Sequence, residues 1–181
     1  MGTKILITGT HSTGKSTLLE ELKKQEEFKD FKFIGGVTRE AKSYGIDINE
    51  QGGDDTQLFC ICSDVLNLLK NKESDIVFDR SIIDTLIYSR YLFREGQISR
   101  STMKIVYDLY LKYLNSFNFI FWLRPEFEIK DDGVRSINKE FQDGIDQLFD
   151  EEFFGKELAT VILTGTVEER IKQIKDKVCQ K

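Results

Sequence analysis

"GTHSTGKST", residues Gly9–Thr17, decides the fold. The apolar run KILIT (Lys4–Thr8) leads into it, and the amphipathic pattern STLLEELKKQEEF, from Ser16, leads out. Gly9-x-x-x-x-Gly14-Lys15-Ser16 between a strand and a helix fits the eight-position phosphate loop. Glycines let successive backbone N–H groups turn inward on a phosphate, and the helix starting near Lys15 adds the positive end of its dipole. In such a loop Lys15 reaches the β- and γ-phosphates, the Ser16 hydroxyl ligates magnesium, and Thr17 helps hold the α-phosphate. Gly9, Thr10, His11, Ser12, Thr13 and Gly14 make the cradle, with His11, the only histidine, as a loop-shaping side chain. The expected ligands are ATP and Mg2+.

Outward from the loop, short apolar runs alternate with helical patterns. Phe31–Gly36, Asp75–Asp79, Phe117–Leu123 and Ala159–Gly165 read as further strands. Helical spacing places Leu58, Cys62, Val65 and Leu69 on one buried face of a helix over Asp55–Lys72. The same reading gives a buried-face helix over Ser101–Phe117 and a terminal helix over Val167–Val178. Five strands separated by helices predict an α/β fold, a parallel sheet covered on both faces. Right-handed crossovers then bring Thr8, Asp79, Arg124 and Gly165 to one edge, at the carboxyl ends of the strands. One domain over residues 1–181 is expected, with the polar, glycine-punctuated segment at about 125–144 as a lid.

Composition excludes several alternatives. Hydrophobic residues are 40% and charged residues 31%, and the formal net charge of -5 offers no global attraction to nucleic acid or anionic membrane. Three cysteines and one histidine supply neither a disulfide framework nor a zinc site. Nothing reads as a membrane span or a secretory leader, so a cytoplasmic location is expected.

Other residues on the predicted edge have chemistry to offer. Asp79 ends an apolar strand, where a carboxylate faces magnesium bound to phosphates of the neighbouring loop. Arg80 follows it where a switch ATPase would often carry a second acid, which favours transfer to an organic acceptor over hydrolysis. Arg39 and Glu40 follow the second strand: Arg39 to hold an anion, Glu40 to take a proton from, or orient, a hydroxyl. Asp84 is a candidate for contact with a sugar or base of the acceptor. In the lid, Arg135, with Asp132 close by, would neutralise charge on the transferring group, and Arg124 is a second arginine for that task. Gly165 and Thr166, after the last strand, suit backbone contact with adenine.

Together "ITGTHSTGKSTL", "TRE", "FDRSIIDTLIYSR", "DDGVRS" and "LTGTVEER" make the chain resemble the P-loop kinases of nucleosides and nucleotides. It resembles in particular the AAA-like ATPase domain group related to the ribosylnicotinamide kinase domain of the bacterial NAD regulator. "TRE" and "DR" also resemble thymidylate kinase motifs, and "DRS" the Glu-Arg-Ser of deoxynucleoside kinases. The resemblance implies a sheet order of 2-3-1-4-5, a small lid, and phosphoryl transfer to a small-molecule acceptor. It carries magnesium or acceptor-hydroxyl support over to Asp79 and phosphate contact to Arg80. The sequence departs where "AKSYG" follows "TRE" in place of Pro-Gly-Gly, and in the Asp79-to-Asp84 spacing. A polynucleotide kinase and a nucleotide-dependent switch ATPase with a protein partner remain the alternative readings.

Overall fold

A computed structural model describes residues 2–125, 138–154 and 159–179. Five strands form one all-parallel sheet: β1 (Lys4–Thr8), β2 (Lys32–Gly35), β3 (Ile76–Asp79), β4 (Phe119–Leu123) and β5 (Thr160–Leu163). Their order across the sheet is β2-β3-β1-β4-β5. Between and after them run α1 (Lys15–Leu22), α2 (Val37–Ser43), α3 (Asp54–Lys70), α4 (Ile82–Arg94), α5 (Arg100–Tyr113), α6 (Lys139–Phe153) and α7 (Val167–Val178).

Period-two alternation sorts the strand residues into two cores. Ile5 and Ile7 of β1, with Val77, Phe121, Leu123 and Leu163, pack on α1 and α7 through Leu18, Leu22 and Ile174. Leu6, with Phe78 and Trp122, packs on the opposite side against α3, α4, α5 and α6. Both faces of the central strand are therefore dry, which is why KILIT is a continuous apolar run. Register sets the edge where the chemistry gathers: Ile7 pairs with Asp79, Gly35 with Asp79, and Thr8 with Trp122.

The strands and the terminal helix lie where the spacing places them, and three features differ. First, α6 occupies Lys139–Phe153, so the carboxyl-terminal part of the expected lid is helix. Asn138 caps it by accepting from the Phe141 N–H at 3.2 Å, and Phe141, Ile145, Leu148 and Phe149 form its buried stripe. Gly144 inside it disguises the pattern. A side chain there would meet the Tyr91 ring at 2.6 Å, so the glycine permits close packing against α4. Residues 126–137 of the expected lid, with Asp132 and Arg135, lie outside the described residues.

Second, α3 does not bury the face expected of it. Cys62 and Leu69 are exposed, and the buried residues are Thr56, Gln57, Cys60, Ile61, Asp64 and Leu68. The helix is rotated because its polar stripe lines a cavity instead of facing water. Third, Arg39 and Glu40 sit in α2, a seven-residue helix after β2.

Candidate active site

The phosphate loop takes its shape from backbone conformations few side chains adopt. Gly9 has φ +135°, and a Cβ on it would lie 2.2 Å from the Leu123 carbonyl oxygen of β4. Gly14 (φ 84°) turns the chain into α1, and Ser12 is also left-handed at φ 59°. Lys15 is buried; its Nζ donates to the Gly9 carbonyl at 2.7 Å, to the Thr10 carbonyl, and to Thr13 Oγ1 at 3.0 Å.

Two buried side chains from distant elements grip the loop from outside. Gln142 of α6 donates from Nε2 to the His11 carbonyl at 2.8 Å, and Arg170 of α7 donates from Nη1 to the Thr13 carbonyl at 3.2 Å. Carbonyls held outward leave the loop's N–H groups to face inward. His11 stacks on Phe141 at 5.7 Å between ring centroids.

A cavity extends from this loop. Its lining includes His11–Ser16, Arg39 of α2, the α3 stripe Gln57, Cys60 and Asp64, and Asp79, Arg80, Ser81, Asp84, Thr85 and Tyr88 around the start of α4. Of the residues singled out in the sequence, Lys15, Ser16, Arg39, Asp79, Arg80 and Asp84 are brought together here.

Asp79 leaves the sheet beside β1, and Arg80 then adopts φ 68° while its N–H still donates to the Ile7 carbonyl at 3.1 Å. A left-handed arginine costs on the order of 1–2 kcal/mol, and such conformations gather at functional sites. The guanidinium lies 5.2 Å over the Tyr88 ring and 4.0 Å from Asp84 Oδ1.

Asp84 lines the cavity and also joins two elements. Its Oδ2 accepts from Thr8 Oγ1 at 2.8 Å and from the Ser81 N–H at 3.2 Å, tying the end of β1 to the first turn of α4. Burial pushes its carboxyl up, against the opposing pull of Arg80 and Lys15. Asp64 is buried beside it, with Oδ2 accepting from Thr85 Oγ1 at 2.7 Å. Desolvation, reinforced by the nearby Asp84 and opposed by the Thr85 bond, pushes Asp64 up to about 7. Burial likewise pushes the Cys60 thiol up to about 12, so it behaves as a small apolar wall.

Other singled-out residues are placed elsewhere. Glu40 is exposed, accepts from the Tyr44 hydroxyl at 3.3 Å, and does not line the cavity. Arg124 is held by Asp146 (3.2 Å) and Asp150 (2.7 Å) of α6 and stacks 4.9 Å over Trp122, also off the cavity. Thr166 caps α7 in a reciprocal pair with Glu169, and Gly165 (φ 88°) makes the turn before it; neither lines the cavity. Thr17, the expected α-phosphate contact, is exposed on α1.

The donor set suits magnesium. Ser16 and Asp79 offer a hydroxyl and a carboxylate to the same cavity, both hard oxygen ligands. Among the described residues, no group of three or more His, Cys, Asp or Glu could hold a metal alone. A divalent ion here would complete its shell with phosphate oxygens and water, as Mg2+ does. No helix among the described residues is long and apolar enough to cross a membrane.

Sequence reading missed Gln57, Cys60 and Asp64. Their spacing, i, i+3 and i+7, was a usable signal: a polar stripe on a helix otherwise rich in leucine. Gln142 and Arg170 carried no local signal, because their partners lie 131 and 157 residues away.

Comparison with known proteins agrees with this fold. The model of a family described as an AAA domain matches residues 4–170. Deoxyadenosine kinase from M. mycoides, with products dCMP and a flexible dCDP bound, has a TM-score of 0.71 at 17% identity, over 99% of this chain and 100% of that one. NadR protein in complex with NR has a TM-score of 0.74 at 21% identity, covering 99% of this chain and 52% of that one. Present in full in the first, the fold thus spans about half of the second. No curated protein matches the chain in sequence.

Proposed function

The chain belongs to this AAA domain family and has the fold of the kinases above; on that premise we propose that it transfers the γ-phosphoryl group of ATP, with Mg2+, to a hydroxyl of a nucleoside or similar small acceptor. One observation carries the reading: the cavity that starts at the phosphate loop continues past Asp79 and Arg80 to a buried polar floor on α3. A hydrolytic switch needs only a water beyond the γ-phosphate, whereas a side-chain-lined chamber suits an organic acceptor.

Each residue then has a task. Lys15 exchanges its loop carbonyls for β- and γ-phosphate oxygens, and the loop's N–H groups hold the β-phosphate. Ser16 and Asp79 are the residues that would hold magnesium, which when bound neutralises charge between the β- and γ-phosphates. Asp79, between loop and floor, orients the acceptor hydroxyl and receives its proton; Glu40 lies outside the cavity and has no such position. Arg80 steadies the anionic oxygens of the moving group, and Arg39 of α2 adds a second cation at the rim. Arg135 would complete the charge neutralisation, and Gly165 and Thr166 would border the adenine. Positioning and electrostatics supply most of the rate, since phosphoryl transfer asks little covalent chemistry of the protein.

The test is magnesium-dependent ATP turnover across nucleosides, nucleoside monophosphates, ribosylnicotinamide and short oligonucleotides, with Lys15→Ala as control. Stimulation by one small acceptor supports the proposal. A basal rate unchanged by every acceptor points to a nucleotide switch. Stimulation by oligonucleotides alone, falling steeply with salt, points to a polynucleotide substrate.

A further inference from the structure

A buried charge stands behind the phosphate loop. Arg170 is 2% exposed, four residues past the Thr166 cap of α7. A guanidinium loses solvation when it is buried, so its place there needs a return. Its Nη1 donates to the Thr13 carbonyl at 3.2 Å, across 157 residues of sequence. The same Thr13 also meets Lys15, whose Nζ donates to Oγ1 at 3.0 Å. Two cations from different elements thus converge on one threonine, Lys15 on its side chain and Arg170 on its carbonyl.

In a planar trans peptide the carbonyl of one residue and the N–H of the next point in opposite directions. The peptide bonds of the loop are trans. A donor that holds the Thr13 carbonyl therefore fixes the direction of the Gly14 N–H, and one that holds the His11 carbonyl fixes the Ser12 N–H. Arg170 is the first donor, and Gln142, with Nε2 2.8 Å from the His11 carbonyl, is the second. Ser12 and Gly14 both line the cavity, and among the described residues no carbonyl or side chain accepts from either N–H. Ser12, between the two held carbonyls, is left-handed at φ 59°, a conformation that persists only where its surroundings hold it.

We infer that Arg170 is a positioning residue for the nucleotide: through the Thr13 carbonyl it aims the Gly14 N–H at phosphate and makes that N–H a stronger donor. The strengthening is polarisation, since a charged donor at the carbonyl end of a peptide draws electron density from its N–H end. Gln142 holds the Ser12 N–H in the same way without a charge, so Arg170 is the stronger of the two grips. Phosphate as the occupant of the loop is taken from the proposed function; the acceptor and the transfer step are not needed. The contribution of Arg170 then goes to the phosphates and not to the base.

The experiment is calorimetric binding of ATP and of inorganic tripolyphosphate, each with magnesium, to the wild-type protein, Arg170→Met and Arg170→Lys. Methionine keeps much of the apolar stem and removes the donor and the charge, whereas lysine keeps a donor and the charge. Arg170→Met should weaken ATP and tripolyphosphate by the same factor, roughly tenfold or more, in the range of a hydrogen bond to a charged group. Arg170→Lys should recover most of that loss. A residue that only ties α7 to the loop would lower the melting temperature and leave the affinity of the folded protein unchanged, and that result would overturn the inference. So would a loss for ATP without one for tripolyphosphate, which would assign Arg170 to the base. If Arg170→Met does not fold, the wild-type protein still decides: in an NMR titration with tripolyphosphate the Gly14 amide proton should move downfield, and an unmoved resonance overturns the assignment. Absence of tripolyphosphate and ATP binding by the wild-type protein overturns it together with the proposed function, whereas binding without phosphorylation of any acceptor counts only against the kinase reading.

Discussion

The phosphate loop and helix α3 line opposite ends of one cavity and obey different rules. At the loop, the proposed phosphate contacts are backbone N–H groups whose directions are set by Gly9, Ser12 and Gly14 within a few residues of each other. At α3, the cavity is lined by side chains two turns apart, Gln57 and Asp64, which Ser89 and Thr85 of α4 hold in place. The first kind of site is written in local sequence; the second exists only after tertiary packing. Residues that shape the loop tolerate little change in backbone, while residues that shape the floor are free to vary the substrate without disturbing the phosphates.

Substitutions can break this contrast or sharpen it. The largest effect is expected at the loop end, where Lys15→Ala should lower phosphoryl transfer by about 10²–10³ or more, as the loss of one preorganised charge contact does. Circular dichroism should show the fold retained, since the Lys15 hydrogen bonds to Gly9, Thr10 and Thr13 stay within the loop. Next comes the rotation of α3. Leu68→Ala should cost about 2–5 kcal/mol of stability, because Leu68 is 3% exposed. Leu69→Ser, on the exposed side, should move stability by no more than about 0.5 kcal/mol. Equal effects in urea melts would mean that the expected apolar stripe was the buried one after all.

Asp64 gives a pH signature of comparable size. Its folded-state pKa of about 7 lies above the ordinary 3.8, so the native state keeps a proton that the unfolded chain releases. Stability from this group therefore falls as pH rises from about 4 to about 7, and is flat above. Asp64→Asn should relieve a penalty on the order of 4 kcal/mol near pH 8 and little near pH 4, which thermal melts at the two pH values check. The smallest effect belongs to the grip on the loop. Gln142→Ala leaves the buried His11 carbonyl without this donor, at about 1–3 kcal/mol in stability. ATP affinity should weaken by up to about tenfold, measured by titration; an unchanged affinity would make Gln142 a packing residue only.

The parallel sheet and the loop were legible because each rests on short-range pattern, an apolar run, a glycine spacing, a helix start; the strand order came only from the resemblance to the P-loop kinases. Asp79 and Arg80 were legible for the same reason, as the last step of a strand. What escaped was long-range. Helix α6 was hidden by Gly144, whose value lies in the approach of Tyr91. Glu40 read as an active-site acid from its place after β2, yet α2 turns it to solvent and Tyr44. The polar stripe of α3 lost to its leucines because hydrophobic spacing assumes that the buried face is the apolar one. A helix that floors a polar cavity breaks that assumption.

The most direct test of the central claim follows the γ-phosphate of labelled ATP in a single turnover of the wild-type protein, with magnesium and a small acceptor present. Transfer predicts label on the acceptor, at a rate that rises with acceptor concentration and disappears in Lys15→Ala. Label released only as inorganic phosphate, at one rate with and without every acceptor, would contradict it.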